Sequence, residues 1–150
     1  MSDVIRCDIA IAGGGLAGGL IALALKARRP DLDVRLVEGA DSLGGNHVWS
    51  FFDTDIAADD WSLVEPLICH RWHGYDVAFP ALSRTLDATY NAIESEHFDA
   101  VVRQTIGEHR IISGRVVAAE AASLTLDNQQ KVVARGVIDT RGAGDLHTLQ

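Results

Sequence analysis

Gly13-Gly14-Gly15-Leu16-Ala17-Gly18 satisfies the spacing G-x-G-x-x-G, and Glu38 follows 20 residues after the last of these glycines. Each position has a chemical use. Gly13 permits a tight turn, Gly15 leaves the backbone bare where a pyrophosphate could approach, and Gly18 lets a helix pack close to a strand. A helix that opens there offers N–H groups and partial positive charge to phosphate oxygens. A carboxylate at Glu38 can accept hydrogen bonds from ribose hydroxyls. The competing reading is a glycine-rich helix start with a solvated glutamate. A strand before the glycines, a helix after them and a second strand ending at Glu38 would decide for the dinucleotide.

The flanking sequence supplies all three. Residues 6–12 read as a strand that becomes fully buried toward the glycines. Residues 16–26 are rich in helix formers, with Lys26, Arg28 and Arg29 placed to complement the dipole and Pro30 to stop the helix. Residues 33–38 alternate into a second strand, so the first 38 residues form a βαβ unit, which crosses over right-handed into a parallel sheet. Farther on, residues 39–55 read as a long loop. Residues 59–64 read as a short helix cut at Pro66, and residues 71–79 as a strand interrupted at Gly74 and ended by Pro80. Tyr90, Ile93, Phe98, Val101, Val102 and Ile106 recur at helical spacing, predicting an amphipathic helix over 89–106. Residues 110–119 read as a strand. Residues 124–126 and 131–134 form a hairpin about Asp127-Asn128-Gln129-Gln130, and residues 136–139 are one more short buried strand. The expected fold class is α/β, a Rossmann-type parallel sheet with a small β insertion or hairpin.

Composition narrows the partners. The chain has 150 residues, 47% hydrophobic and 23% charged, enough for a proper core and unlike a disordered or disulfide-scaffold protein. A net charge of −8 repels phosphate backbones and anionic lipid heads, which argues against nucleic acid as a partner. An apolar ligand, or apolar contact at the periphery of a membrane, does not depend on that charge. Cys7 and Cys69 belong to no paired motif and read as reduced thiols in a cytoplasmic setting. The 17 uncharged residues from Ile9 to Leu25 fall short of a bilayer span and contain five glycines. The stretch before them, with Asp3, Arg6 and Asp8, lacks the basic character of a secretory leader.

The segment after Glu38 bears on which dinucleotide. Gly39-Ala40-Asp41 has no basic residue for a 2′-phosphate, and a second diglycine, Gly44-Gly45, precedes Asn46-His47. That placement resembles the flavoprotein pattern, in which this loop passes close to FAD, so FAD is favoured over NAD. The match then becomes specific. Residues 39–53, Gly-Ala-Asp-Ser-Leu-Gly-Gly-Asn-His-Val-Trp-Ser-Phe-Phe-Asp, resemble the GGNHTWSFH signature loop of the bacterial lycopene β-cyclase family. The opening over 12–17 is similar to that family's, as are Pro66-Leu67, His70-Arg71-Trp72, Gly74-Tyr75-Asp76-Val77 and Phe79-Pro80. Val137-Ile138-Asp139-Thr140-Arg141-Gly142 is similar to its V-I-D-x-R-G strand exit. Two departures stand out. Val48 occupies a position where Thr is common and Phe52 one where His is common, which lowers the case for proton transfer beside Asp53.

The resemblance implies an FAD enzyme that closes the ends of linear lycopene into β-ionone rings. A carboxylic acid protonates the terminal alkene, the cation cyclises, and a proton leaves. It implies reduced FAD, with NADPH as the electron source, an apolar carotenoid as substrate, and an acidic catalytic motif beyond residue 150, so the catalytic residues stay unassigned. It extends the cofactor positions from Gly13, Gly15, Gly18, Glu38, Gly44 and Gly45 to Asn46, His47, Val116, Arg141 and Gly142. It also makes the sequence the N-terminal part of a longer FAD-binding domain. Alternatives are another FAD-dependent oxidoreductase or monooxygenase, and a non-catalytic nucleotide-binding fragment. Trp49, Phe51 and Phe52 either line a pocket for a polyene or pack. Cys69, His70 and His73 lack a fourth metal ligand at a recognised spacing. Glu94, Glu96 and Asp99 read as a solvated helix face, and His47 as a hydrogen-bonding residue rather than a base.

Overall fold

The computed structural model describes residues 4–142. Strands β1 (Val4–Arg6) and β2 (Ile9–Ala12) lead to helix α1 (Leu16–Arg28), strand β3 (Val34–Glu38) and strand β4 (Val48–Phe52). Helix α2 (Trp61–Val64) lies between short 3₁₀ turns, followed by β5 (His70–Trp72), β6 (Tyr75–Phe79), β7 (Leu82–Leu86) and β8 (Tyr90–Glu94). Helix α3 (Ser95–Ile106) and strands β9 (Ile111–Ser113), β10 (Val116–Glu120), β11 (Ser123–Leu126), β12 (Lys131–Val133) and β13 (Gly136–Asp139) complete the order.

The central layer is a parallel sheet of order β13-β2-β3-β9. Alternation along its strands sorts two cores. Ile11, Val34 and Leu36 face the helices, where they meet Ala22, Leu23, Phe98, Val102 and Ile106. Ala10, Ala12, Val37 and Ile112 face a second sheet, β1-β12-β11-β10, and pack on Val116, Leu124, Leu126, Val132 and Ala134. Helices, parallel sheet and second sheet therefore stack as three layers. Between β3 and α3 the chain makes a three-stranded antiparallel sheet, β4-β8-β5, and the hairpin β6–β7.

The βαβ unit forms as its residue types require. α1 ends where Arg29 N–H closes the last turn on the Leu25 carbonyl, one residue before Pro30. The predicted turn at 127–130 joins β11 to β12, with Gln129 at φ +67°. Five expectations are corrected. Residues 6–12 are not one strand: the chain leaves the second sheet at Cys7 and enters the parallel sheet at Ile9, and Asp8 accepts the Asp33 N–H across the break. Residues 110–119 divide likewise at Gly114-Arg115 into β9 and β10, which belong to different sheets. Residues 39–55 contain β4, whose hydrogen bonds come from β8 more than 35 residues away in sequence. Residues 90–94 are strand rather than the first turns of a helix, because α3 begins only at Ser95. Strand β7 was not anticipated; it closes an antiparallel hairpin with β6. Among the described residues no helix is long and apolar enough to cross a membrane.

Candidate functional site

The turn from β2 into α1 is shaped by what its glycines exclude. Gly13 sits at φ +100°, and its N–H donates to the Val37 carbonyl at 2.9 Å. A Cβ on Gly18 would lie 1.9 Å from the Gly13 carbonyl oxygen, so only glycine lets the helix come down on the turn. Thr140, one residue past β13, donates its hydroxyl to the carbonyls of Ala12 and Gly13, both at 2.9 Å, and clamps the turn from the other side. Gly15 is the opposite case. Nothing lies within 4 Å of the position a Cβ would take, and no side chain caps the helix that starts there.

Glu38, at the end of β3, reaches back to this turn. Its carboxylate accepts the Gly14 N–H at 2.7 Å and the Ala40 N–H at 2.9 Å. The following loop is then tied down. Gly44 N–H donates to the Gly14 carbonyl, Leu43 N–H to Asp99 at 2.6 Å, and His47 and Ser95 bond through His47 N–H to Ser95 Oγ and Ser95 N–H to the His47 carbonyl. Arg103 pairs with Asp99 and also donates to the Asp41 carbonyl. Gly44 and Gly45 both adopt left-handed backbone, at φ +78° and +64°.

Together these elements form an open cleft of about 340 Å³, walled by Gly15, Glu38, Gly44, Gly45, His47 and Trp49, with Leu16, Ala40 and Ser42. Five of the sequence-predicted positions thus meet at one cleft. Asn46 is exposed on the same loop, while Gly13 and Gly18 form the turn beneath. Val116, Arg141 and Gly142 do not wall the cleft: Arg141, just past β13, lies with its backbone nitrogen 3.2 Å from where a Cβ on Gly13 would be, donates to the Val116 carbonyl of β10 at 3.1 Å and holds Asp139 in a paired contact that lowers the Asp139 pKa. Ala143-Gly144-Asp145, the rest of that exit, lies outside the described residues.

The ring assignments are now definite. Trp49 packs edge-on against Phe98 and walls the cleft, Phe51 meets Trp61, and Phe52 meets Tyr75 and Tyr90. Asp99 is not part of a solvated face, since it anchors Leu43 and Arg103, and Glu94 pairs with His70 at 2.9 Å. Asp99, Ser95 and Thr140 were missed as supports of the site. Thr140 alone carried a signal, its place in the Val137–Gly142 stretch. Cys7 and Cys69 are free, and burial together with Asp33 pushes the Cys7 thiol up to about 11. Among the described residues no group of three or more His, Cys, Asp or Glu is placed to hold a metal ion.

A glycine turn under a helix start, backed by a carboxylate from the neighbouring parallel strand, defines a Rossmann-type α/β protein. The fold is similar to that of p-nitrophenol 4-monooxygenase from Pseudomonas putida DLL-E4, with a TM-score of 0.68 and 15% identity over 94% of this chain and 42% of that one. It is also similar to 2-methyl-3-hydroxypyridine-5-carboxylic acid oxygenase, with a TM-score of 0.65 and 20% identity over 89% of this chain and 38% of that one. The family is narrower than the fold. The chain belongs to the lycopene cyclase protein family, which matches residues 8–149. It is 40% identical to lycopene beta-cyclase of Pseudescherichia vulneris over 135 residues, 90% of this chain and 35% of that protein. With lycopene beta-cyclase of Pantoea ananas the identity is 38%, again over 90% of this chain and 35% of the relative. The chain thus spans about a third of the length of the curated relatives it matches.

Proposed function

We propose that the cleft is the seat of FAD, that this chain forms the N-terminal part of the FAD-binding domain, and that the protein carrying it is a lycopene β-cyclase. One conjunction carries the reading: a bare Gly15 and a doubly held Glu38 carboxylate share a cavity in a chain of the lycopene cyclase family.

The residues present fit the cofactor. The open space at Gly15, against an uncapped helix start, suits a pyrophosphate, which takes up N–H groups and the positive end of the dipole. Each Glu38 oxygen already accepts one backbone N–H, which fixes its direction, and keeps a lone pair for a ribose hydroxyl. Gly44 and Gly45 keep side chains out of the loop that faces the cleft, and His47 and Trp49 wall it. Val116, Arg141 and Gly142 belong to the same site in this reading, reached from the exit of β13. When bound and reduced at the expense of NADPH, FAD supplies an electron-rich ring beside which positive charge is favoured.

The reaction is an isomerisation of an apolar carotenoid, lycopene to β-carotene, in which a carboxylic acid protonates the chain end and a proton later leaves. This chain's residues bind and orient rather than protonate. Because the substrate dissolves in lipid, the protein works in the cytoplasm at the periphery of the inner membrane, and this chain's net charge of −8 adds no attraction to anionic lipid heads. The test is a titration of the whole protein with FAD, followed by anaerobic incubation with lycopene and reduced FAD. Retained flavin and formation of β-carotene are expected. Absence of flavin binding overturns the cleft assignment, and bound flavin with unchanged lycopene overturns the cyclase.

A further inference from the structure

The cleft is short of positive charge for the ligand it is shaped to take. Of the residues that wall it, Glu38 carries a carboxylate, and His47 is the one side chain able to become a cation near neutral pH. Among the described residues no lysine or arginine belongs to that wall. β4 and residues 16–25 of α1 are uncharged, so the elements that border the cleft add nothing. The basic side chains on neighbouring elements stand outside it. Arg103 of α3 pairs with Asp99 and Glu108, and Arg141 with Asp139. The Cα of Arg115 is 3.2 Å from where a Cβ on Gly39 would be, and that residue too is outside the wall. On α3 and β8, His97 bonds the Pro66 carbonyl and Glu94 bonds His70, both at 2.9 Å. Asp41 of the loop and Glu96 of α3 are exposed.

His47 is held in its place. Gly44 and Gly45, both in left-handed backbone, turn the chain beside the cleft. Ser95 then fixes the His47 backbone, accepting its N–H on Oγ at 3.3 Å and donating its own N–H to the His47 carbonyl at 3.0 Å. The imidazole lies 5.9 Å from the Trp49 ring, centroid to centroid, and its Nε2 is 3.7 Å from where a Cβ on Gly45 would be. Imidazole, Gly15 and Glu38 thus border one space of about 340 Å³. Its linear dimension is about 7 Å, within the range over which charges act on one another in ordinary salt.

We propose that His47 holds the pyrophosphate as a cation, so that FAD and one proton enter the cleft together. The inference rests on the FAD reading above. Two phosphates bring two negative charges to a space already bordered by the Glu38 carboxylate, and a helix start answers with about half a positive charge. An imidazole beside them narrows that gap by taking a proton, which it does near neutral pH. The proton passes from solvent to a ring nitrogen, and no bond of FAD is made or broken. Because the bound ligand favours the charged ring, affinity is highest where the free ring is already protonated. It falls as pH rises through the range in which the free ring gives that proton up.

Titrating the whole protein, freed of flavin, with oxidised FAD tests this, since oxidised FAD itself neither gains nor loses a proton between pH 6 and pH 8. The dissociation constant should rise about tenfold over that interval, and calorimetry in buffers of different ionisation heat should show uptake of up to about one proton at pH 7. His47→Gln, polar but uncharged, should bind FAD weakly and equally at both ends of the interval. His47→Lys, charged throughout, should bind about as tightly at pH 8 as the wild type does at pH 6. A wild-type affinity that does not change with pH overturns the proposal and leaves the FAD cleft standing, and so does a glutamine variant that keeps the wild-type slope. If His47→Gln melts well below the wild type before ligand is added, the lysine variant decides, and the wild-type slope in it overturns the proposal. A wild-type protein that binds no FAD at any pH removes the cleft reading, and this one with it.

Discussion

A glycine can matter for the room it leaves or for the atom it avoids, and Gly15 and Gly18 divide along that line. A Cβ at Gly15 has nothing within 4 Å, so Gly15→Val should fold with a nearly unchanged melting temperature while losing flavin, because the side chain occupies the pyrophosphate's space. Alanine at Gly18 meets the Gly13 carbonyl at 1.9 Å, so Gly18→Ala should cost above about 3 kcal/mol and lower the melting temperature before any ligand is added. Thermal melts with and without FAD separate the two. Glu38→Gln keeps one acceptor oxygen and loses the charge, and should weaken FAD by about ten- to a hundredfold, from roughly 1.5–3 kcal/mol of charge-assisted bonding. An unchanged dissociation constant would make Glu38 a purely structural clamp on Gly14 and Ala40. Cys7 supplies a pH test. Its folded pKa of about 11 stands above its ordinary value of 9.0, so between these values the unfolded chain gives up a proton that the folded one keeps. Stability should therefore fall as pH rises from 9 toward 11, and Cys7→Ser should flatten that part of the profile in denaturant midpoints.

At the scale of elements, the site depends on α3 more than its distance in sequence suggests. Asp99 holds the Leu43 N–H and Arg103 together, and Ser95 bonds the His47 backbone, so the loop after Glu38 is fastened to a helix over 50 residues away in sequence. Asp99→Ala leaves the Leu43 N–H without its acceptor and should cost about 1–3 kcal/mol, with FAD affinity falling as the loop loosens. Asp99→Asn, which keeps an acceptor, should lose less, and equal losses in denaturant titrations would refute the anchoring role. This long reach also explains what the sequence hid. The βαβ unit was legible because glycine turn, helix formers and Pro30 act locally, and so was the 127–130 turn. Strand β4 was not: Val48–Phe52 is rich in strand formers, but its partners come from β8 and its glycine-rich lead-in reads as loop. Tyr90 and Ile93 happened to continue the apolar spacing of α3, which disguised β8 as helix. The breaks at Cys7-Asp8 and Gly114-Arg115 occur where the chain changes sheet, and which sheet a strand joins depends on pairing across the whole molecule.

At the scale of the whole molecule, the fold does not choose the reaction. Similar folds occur in proteins named as a monooxygenase and an oxygenase, whereas the family is named for a cyclisation. The choice therefore falls to the groups that face the substrate. An oxygenase adds mass to its substrate and consumes reductant with each turnover. A cyclase conserves mass, and the proton added at the chain end comes ultimately from solvent. In anaerobic assays of the whole protein with reduced FAD, the product should have the mass of lycopene in ordinary water and should gain deuterium in deuterated water. NADPH consumption should not track the number of rings formed. A product two mass units from lycopene, or one equivalent of NADPH used per ring, would assign the protein to redox chemistry despite its family. Full activity with oxidised FAD would keep the cyclase and withdraw the charge-stabilising role of the reduced flavin.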